Sequence, residues 1–259
     1  MQPTYWQKQT HSKPLYPNMI WDRPENRMHA GKLLIIGGNS GGFASIAEAY
    51  GEADRAGIGT TRAILPSSLA RTLRDVFPEA EYVSKTPSGS FARESLGELL
   101  SSSLWADGVL LPGDLGRNSE TAILIESFAT KYHASLTLAG DAVDYFAANS
   151  LPVLSRETTT LVVTLPQLQR LAADAGFSVA FTSNMALLPL IEALHAFSSQ
   201  HPASIVLLVD DGAHIAHAGH IITTPQKKSA VTIATHCAVW RLQQPEKPLE
   251  ALASALAEL

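Results

Sequence analysis

Cysteine is almost missing from this chain: Cys237 is the sole thiol in 259 residues. That excludes an internal disulfide framework and a cysteine-based zinc cluster. Cys237 falls in the apolar periodic stretch Ala230, Ile233, Ala234, Cys237, Trp240, which predicts a buried, inert thiol rather than a nucleophile. Charge is also scarce. Asp, Glu, Lys and Arg make up 17% of the residues and hydrophobic residues 46%, the reverse of the composition that keeps a chain disordered. The net charge of −5 leaves no basic footprint for a nucleic acid. No apolar run has the character of a membrane span: the longest uncharged stretch, Ala175 to Ile191, carries Ser178, Thr182, Ser183, Asn184 and Pro189. Met1 to Lys13 is polar and has no apolar core, so no signal peptide and a cytoplasmic location are expected. G-x-G-x-x-G and G-x-x-x-x-G-K-[ST] motifs are both absent, which leaves a dinucleotide fingerprint and a P-loop unsupported.

What is present is an alternation of short apolar runs with amphipathic stretches of about ten residues. Residues 1–31 lack periodicity and are expected to form an extended arm over the rest. From Lys32 a single α/β domain runs to Leu259, with no Pro/Ser linker inside it. Strands are predicted at 32–36, 60–65, 81–83, 108–111, 136–138, 161–163, 179–181 and 205–209, each an apolar run bounded by turn residues. Helices are predicted between them at 43–56, 67–76, 94–103, 120–132, 142–148, 167–175 and 186–198, then at 229–242 and 248–258. This order implies right-handed crossovers and a mainly parallel sheet with helices on both faces. A hairpin at 213–223, turning at Ala218-Gly219, is expected at the sheet edge. The last helix carries Leu249, Leu252, Leu256 and Leu259 on one stripe, which must pack on something; a second subunit would serve, so a homo-oligomer is expected.

In open α/β sheets ligands bind beyond the carboxyl ends of the strands. Two glycine-rich loops fall there. Gly37-Gly38-Asn39-Ser40-Gly41-Gly42 offers backbone N–H groups to an anion at a helix start, or forms a plain tight turn. Pro112-Gly113-Asp114-Leu115-Gly116-Arg117 adds a guanidinium for a phosphate, or a surface arginine. Asp141 follows a third strand, placed either to face a ligand or to cap the helix behind it. Period-two counting through the hairpin puts His214 and His220 on one face and His217 on the other; they read as exposed histidines rather than as a metal set.

Taken in order, these motifs resemble the NAD(P)H-hydrate dehydratase family, a branch of the ribokinase-like superfamily. Lys32 to Asn39 looks like its opening strand and G-G-S loop, and Ala53 to Gly59 is similar to its A-x-R-A-G-A-G. Ala106 to Arg117 with Glu120-Thr121 resembles A-D-A-x-x-x-G-P-G-L-G-R…E-T, and Asp141-Ala142-Val143 the end of D-A-D-A-L. The resemblance spans residues 30–255. It implies a ribokinase-like α/β fold and repair of hydrated NADH or NADPH driven by ADP or ATP, with Mg2+ as an accessory ion. It also implies substrate contacts at Gly38, Asn39, Gly41, Ser45, Gly113 and Gly116; Asp141, and Asp114, a carboxylate added where the family's loop reads G-P-G-L-G, are the candidates for a catalytic acid. The sequence departs from the family where the chemistry lies. Val209-Asp210-Asp211 replaces the start of the K-G-x-G nucleotide loop, and the G-G-T-G-D loop, which brings the anion hole and the catalytic aspartate, is replaced by Gln226-Lys227-Lys228-Ser229-Ala230. Lys227 and Lys228 are the remaining candidates for nucleotide phosphate. The alternative to a dehydratase is therefore a catalytically inactive nucleotide-binding or interaction protein of the same fold.

Overall fold

The apolar runs of this sequence are too continuous to serve a half-exposed sheet, and the structure buries both of their faces. The computed structural model describes residues 3–75 and 77–259. Among them ten strands join in one sheet. They are β1 (Trp6–Lys8), β2 (Lys32–Ile36), β3 (Thr60–Pro66), β4 (Ala80–Val83), β5 (Gly108–Leu111), β6 (Ser135–Leu138), β7 (Thr159–Thr164), β8 (Ser204–Val209), β9 (Gly212–His217) and β10 (His220–Pro225). Their spatial order is β1-β10-β9-β8-β7-β6-β5-β2-β3-β4. Every pairing is parallel except β8 with β9 and β9 with β10.

The helices are α1 (Ala44–Arg55), α2 (Ala70–Leu73), α3 (Leu96–Ser103), α4 (Ser119–Lys131), α5 (Asp141–Asp144), α6 (Leu151–Leu154), α7 (Leu165–Asp174), α8 (Leu187–Gln200), α9 (Ala230–Gln243) and α10 (Pro248–Glu258). Alternate residues of each strand feed two cores. Leu34, Ile36, Val109, Leu111, Leu161 and Val163 pack with α3, α4, α7 and α8; Leu33, Ile35, Leu110, Val162 and Val206 pack with α1, α9 and α10. This two-sided cover is why the strands read as unbroken apolar runs. Helix α9 lies deepest: Thr232 to Arg241 are buried without interruption between the sheet, α1 and α10.

Residues 3–31 do more than lie over the surface. Trp6–Lys8 add an edge strand parallel to β10, Gln9 buries its amide against Thr224 Oγ1 (2.9 Å) and Ala253 O (2.7 Å), and Met19 enters the α9–α10 core.

Several local expectations are corrected. Residues 179–181 form no strand, because β7 and β8 pair directly (Thr160 with Ser204 through Thr164 with Leu208) and leave no slot; Phe181 instead packs in a loop on Phe177 and Phe197. The helix expected at 67–76 shrinks to α2, with its last residue, Val76, outside the described residues, and that at 142–148 to the single turn of α5. The leucine stripe of α10 faces inward: Leu252 and Leu256 are fully buried, with Leu249 and Leu259 packed beside them. It needs no second subunit. His214 and His217 are buried, not exposed. The two-residue turn Ala218-Gly219, with φ of 47° and 80°, pairs His217 with His220. Directly opposed residues share a face, so His217 and His220 lie together and His214 opposite. Straight period-two counting misplaces His220, because the two turn residues reset the alternation.

Candidate active-site cleft

Strands β3 and β4 are laid down on one side of β2, and β5 to β8 on the other, so the chain reverses direction between β2 and β5. The crevice beyond the carboxyl ends of these two strands is the expected ligand position. The two glycine loops meet there. Asn39 Nδ2 donates to Asp114 O at 2.6 Å, and the Ser45 N–H at the start of α1 donates to Asp114 Oδ2 at 2.7 Å. Gly37 lies so close to Gly113 O that a Cβ would sit 2.7 Å from it. Asp114 adopts φ of 58°, a left-handed backbone that Asp tolerates better than most residues. Asp141 holds the second loop from beneath, its two oxygens accepting the N–H groups of Leu115 (3.2 Å) and Gly116 (3.0 Å). It is therefore not the cap of its own helix.

Gly38, Asn39, Gly41, Ser45, Gly113, Gly116, Asp114 and Asp141 thus belong to one cluster. Their donors, however, face inward. The Ser40 N–H bonds Gly89 O (3.0 Å), the Gly41 N–H bonds Asn39 Oδ1 (2.6 Å), and the Gly42 N–H bonds Asn39 O (3.1 Å). The first loop is a self-satisfied turn tied to a third segment, Ser88-Gly89, which sequence patterning did not single out.

Outside this cluster a cleft of about 470 Å³ opens between the β5–α4 loop, α5 and α7. Arg117, Asn118, Asp141, Asp144, Tyr145 and Arg170 line it. Arg170 pairs with Asp144, Gln167 Nε2 reaches Asp144 at 3.2 Å, and the Tyr145 hydroxyl donates to Gly116 O. Arg117 is exposed at the mouth. Burial raises the Asp141 carboxyl above the ordinary carboxylate range, aided by Asp114 and Asp144 and opposed by its two N–H donors. Burial, reinforced by Asp141, lifts the Tyr145 phenol to about 12. A carboxyl raised inside a cleft is a candidate for proton transfer or for contact with a hydroxyl-bearing ligand. Tyr145, Asp144 and Arg170 carried no motif; only their place one turn beyond Asp141, or on the neighbouring helix, marks them.

Lys227 and Lys228 lie elsewhere, on the loop between β10 and α9. Both are exposed, and Lys227 Nζ pairs with Asp211 at 3.6 Å. Their backbone N–H groups both bond Gln226 Oε1, at 2.8 and 3.0 Å. Ser229 caps α9 by accepting the Thr232 N–H at 2.9 Å, and the hydroxyls of Ser229 and Thr232 (2.9 Å) both donate to Glu48 Oε1. A nucleotide phosphate would need those donors open, so the residues present do not fit one at this helix start. Among the described residues no three His, Cys, Asp or Glu side chains gather as metal ligands. Cys237 is wholly buried, and desolvation raises its thiol far above the ordinary value.

No family model matches this sequence, and no curated protein matches it closely. Its architecture does have counterparts. A ribokinase-like superfamily protein of Enterococcus faecalis superposes with a TM-score of 0.71 at 18% identity, over 100% of this chain and 88% of that one. The fold is ribokinase-like. An ADP/ATP-dependent NAD(P)H-hydrate dehydratase of Bacillus subtilis, crystallised with ATP and Mg2+, superposes with a TM-score of 0.63 at 14% identity, over 94% of this chain and 86% of that one. A ribokinase of Cryptococcus neoformans in complex with ADP gives 0.55 at 11% identity, over 87% and 91%.

Proposed function

We propose that this ribokinase-like chain is a catalytically inactive binding protein of the NAD(P)H-hydrate dehydratase type, which takes a small nucleotide-derived ligand in the cleft of Arg117, Asp141, Asp144, Tyr145 and Arg170. The observation that carries this reading is the closed loop before α9. Pro225 to Ser229 contains no carboxylate, and Gln226 holds the two amides at its centre. Nucleotide-driven chemistry rests on positioned donors for developing charge and on an acid or base at the reacting atom. That loop supplies neither. The cleft keeps what binding needs: Arg117 to meet an anionic group, and Asp141 and Asp144 to accept from hydroxyls.

A second reading rests on Asp141. Its raised carboxyl, at the strand end where the resemblance puts a retained aspartate, favours an active dehydratase with the acid relocated. The experiment that separates the two incubates the protein with hydrated NADH and ADP or ATP plus Mg2+, following the return of reduced-nicotinamide absorbance. No turnover is expected, while calorimetry with hydrated NADH shows binding that Arg117→Ala weakens by about tenfold. Nucleotide-dependent turnover that Asp141→Asn abolishes would establish the second reading instead.

A further inference from the structure

We infer that Glu48 is a built-in anion for the N-terminus of α9, so that this helix start takes no phosphate until Glu48 is removed. The inference is independent of what the Arg117 cleft binds. Helices α1 and α9 run side by side in the same direction, since Glu48 meets Thr232 and Glu52 meets His236 one turn further along both. That register delivers Glu48 to the first turn of α9, where the aligned peptide dipoles favour negative charge. One oxygen, Oε1, takes the hydroxyls of both Ser229, the cap residue, and Thr232, the third residue of the helix.

The loop before the helix also turns its amides away from a ligand. The amides of Lys227 and Lys228 are turned onto Gln226, whose side chain is buried, and the Lys227 ammonium is paired with Asp211. An arriving phosphate would have to displace the carboxylate or share its half-buried position, and two like charges in one such position repel strongly. The helix start thus has its counter-charge from within the chain.

The test titrates the full chain with inorganic pyrophosphate, and with ADP against adenosine, by calorimetry. Every titration is made in the Arg117→Ala background, which silences the other cleft; there the protein with Glu48 intact is expected to show no pyrophosphate binding and no preference for ADP over adenosine. Glu48→Ala is expected to acquire both, with ADP favoured by about tenfold and the preference fading as salt rises. Glu48→Gln keeps an acceptor for the two hydroxyls while removing the charge; it is expected to gain a few-fold, and it carries the test if the alanine variant does not melt cooperatively. An Arg117→Ala protein with Glu48 intact that already prefers ADP tenfold would overturn the assignment, as would folded Glu48 variants in that background that gain nothing.

Discussion

His236 Nε2 on α9 and Glu52 Oε2 on α1 lie 3.3 Å apart, in a contact that is almost wholly buried. Burial holds His236 below the ordinary histidine value, with Glu52 and Glu258 opposing and Arg23 adding to the depression. His214, buried on β9 with its Nδ1 2.9 Å from Thr223 Oγ1, is pushed down to about 4, first by burial and then by Lys8. Burial, followed by Arg241, lowers His217 too. Each of these is neutral in the folded protein at a pH where the unfolded chain binds a proton. Stability is therefore greatest above about 6.5 and is lost as the pH falls through 6.5 toward the depressed folded values. Asp141 works in the opposite sense, since its raised carboxyl binds a proton first in the folded state, but it is one group against four histidines, burial lowering His201 as well. Urea midpoints at pH 7.5, 6 and 5 should fall steadily, and His214→Gln should flatten the fall. Equal midpoints at all three values would refute this account.

Asp141→Ala should loosen the second glycine loop. Removing the carboxylate leaves the N–H groups of Leu115 and Gly116 without acceptors, and each unpaired donor away from water costs about 1–3 kcal/mol. Asp114→Ala removes the acceptor for Ser45 N–H at the start of α1, a loss of the helix-cap kind worth about 0.5–2 kcal/mol. Chemical denaturation of the two variants should rank Asp141→Ala as the more damaging. Wild-type stability in Asp141→Ala would mean that water satisfies the loop equally well.

The sheet was legible because its strands are buried on both faces: β2, β5 and β8 stand where the apolar runs Lys32–Ile36, Gly108–Leu111 and Ile205–Val209 predicted them. The expected 179–181 strand went wrong because Val179-Ala180-Phe181 is apolar for a local reason, the packing of Phe181 on Phe197, which composition does not distinguish from a sheet. The glycine loops were found, but not the direction of their donors, since which acceptor a backbone N–H meets is decided by Gly89, Asn39 and Asp114 folding back on it. Glu48 was invisible for the same reason. Nothing about a glutamate on an amphipathic helix announces a partner 184 residues away.

Two glycine substitutions should move stability in opposite directions. Gly51 lies inside α1 with nothing within 4 Å of an added Cβ, so Gly51→Ala should stabilise by about 0.5–1 kcal/mol through helix propensity alone. Gly140 has φ of 56°, and its Cβ would come within 2.9 Å of Pro112 O, so Gly140→Ala should cost about 1–3 kcal/mol. Thermal melts of both, against the wild type, read the signs directly. A neutral Gly140→Ala would show that the β6–α5 corner yields easily.

The stripe of α10 gives the sharpest distinction between packing and partnership. Were Leu252 and Leu256 an interface with another subunit, truncating them would shift the oligomeric state and leave the isolated chain intact. In this fold both are fully buried against the chain's own α9 and the sheet beneath it, and the arm seals the outside through Gln9 on Ala253 O and His11 on Ala257 O. Leu252→Ala and Leu256→Ala should therefore each open a cavity and cost about 2–5 kcal/mol. Denaturation curves measure that loss, and light scattering on the folded fraction should return the wild-type mass. Unchanged stability together with a changed mass would place these leucines in an interface after all.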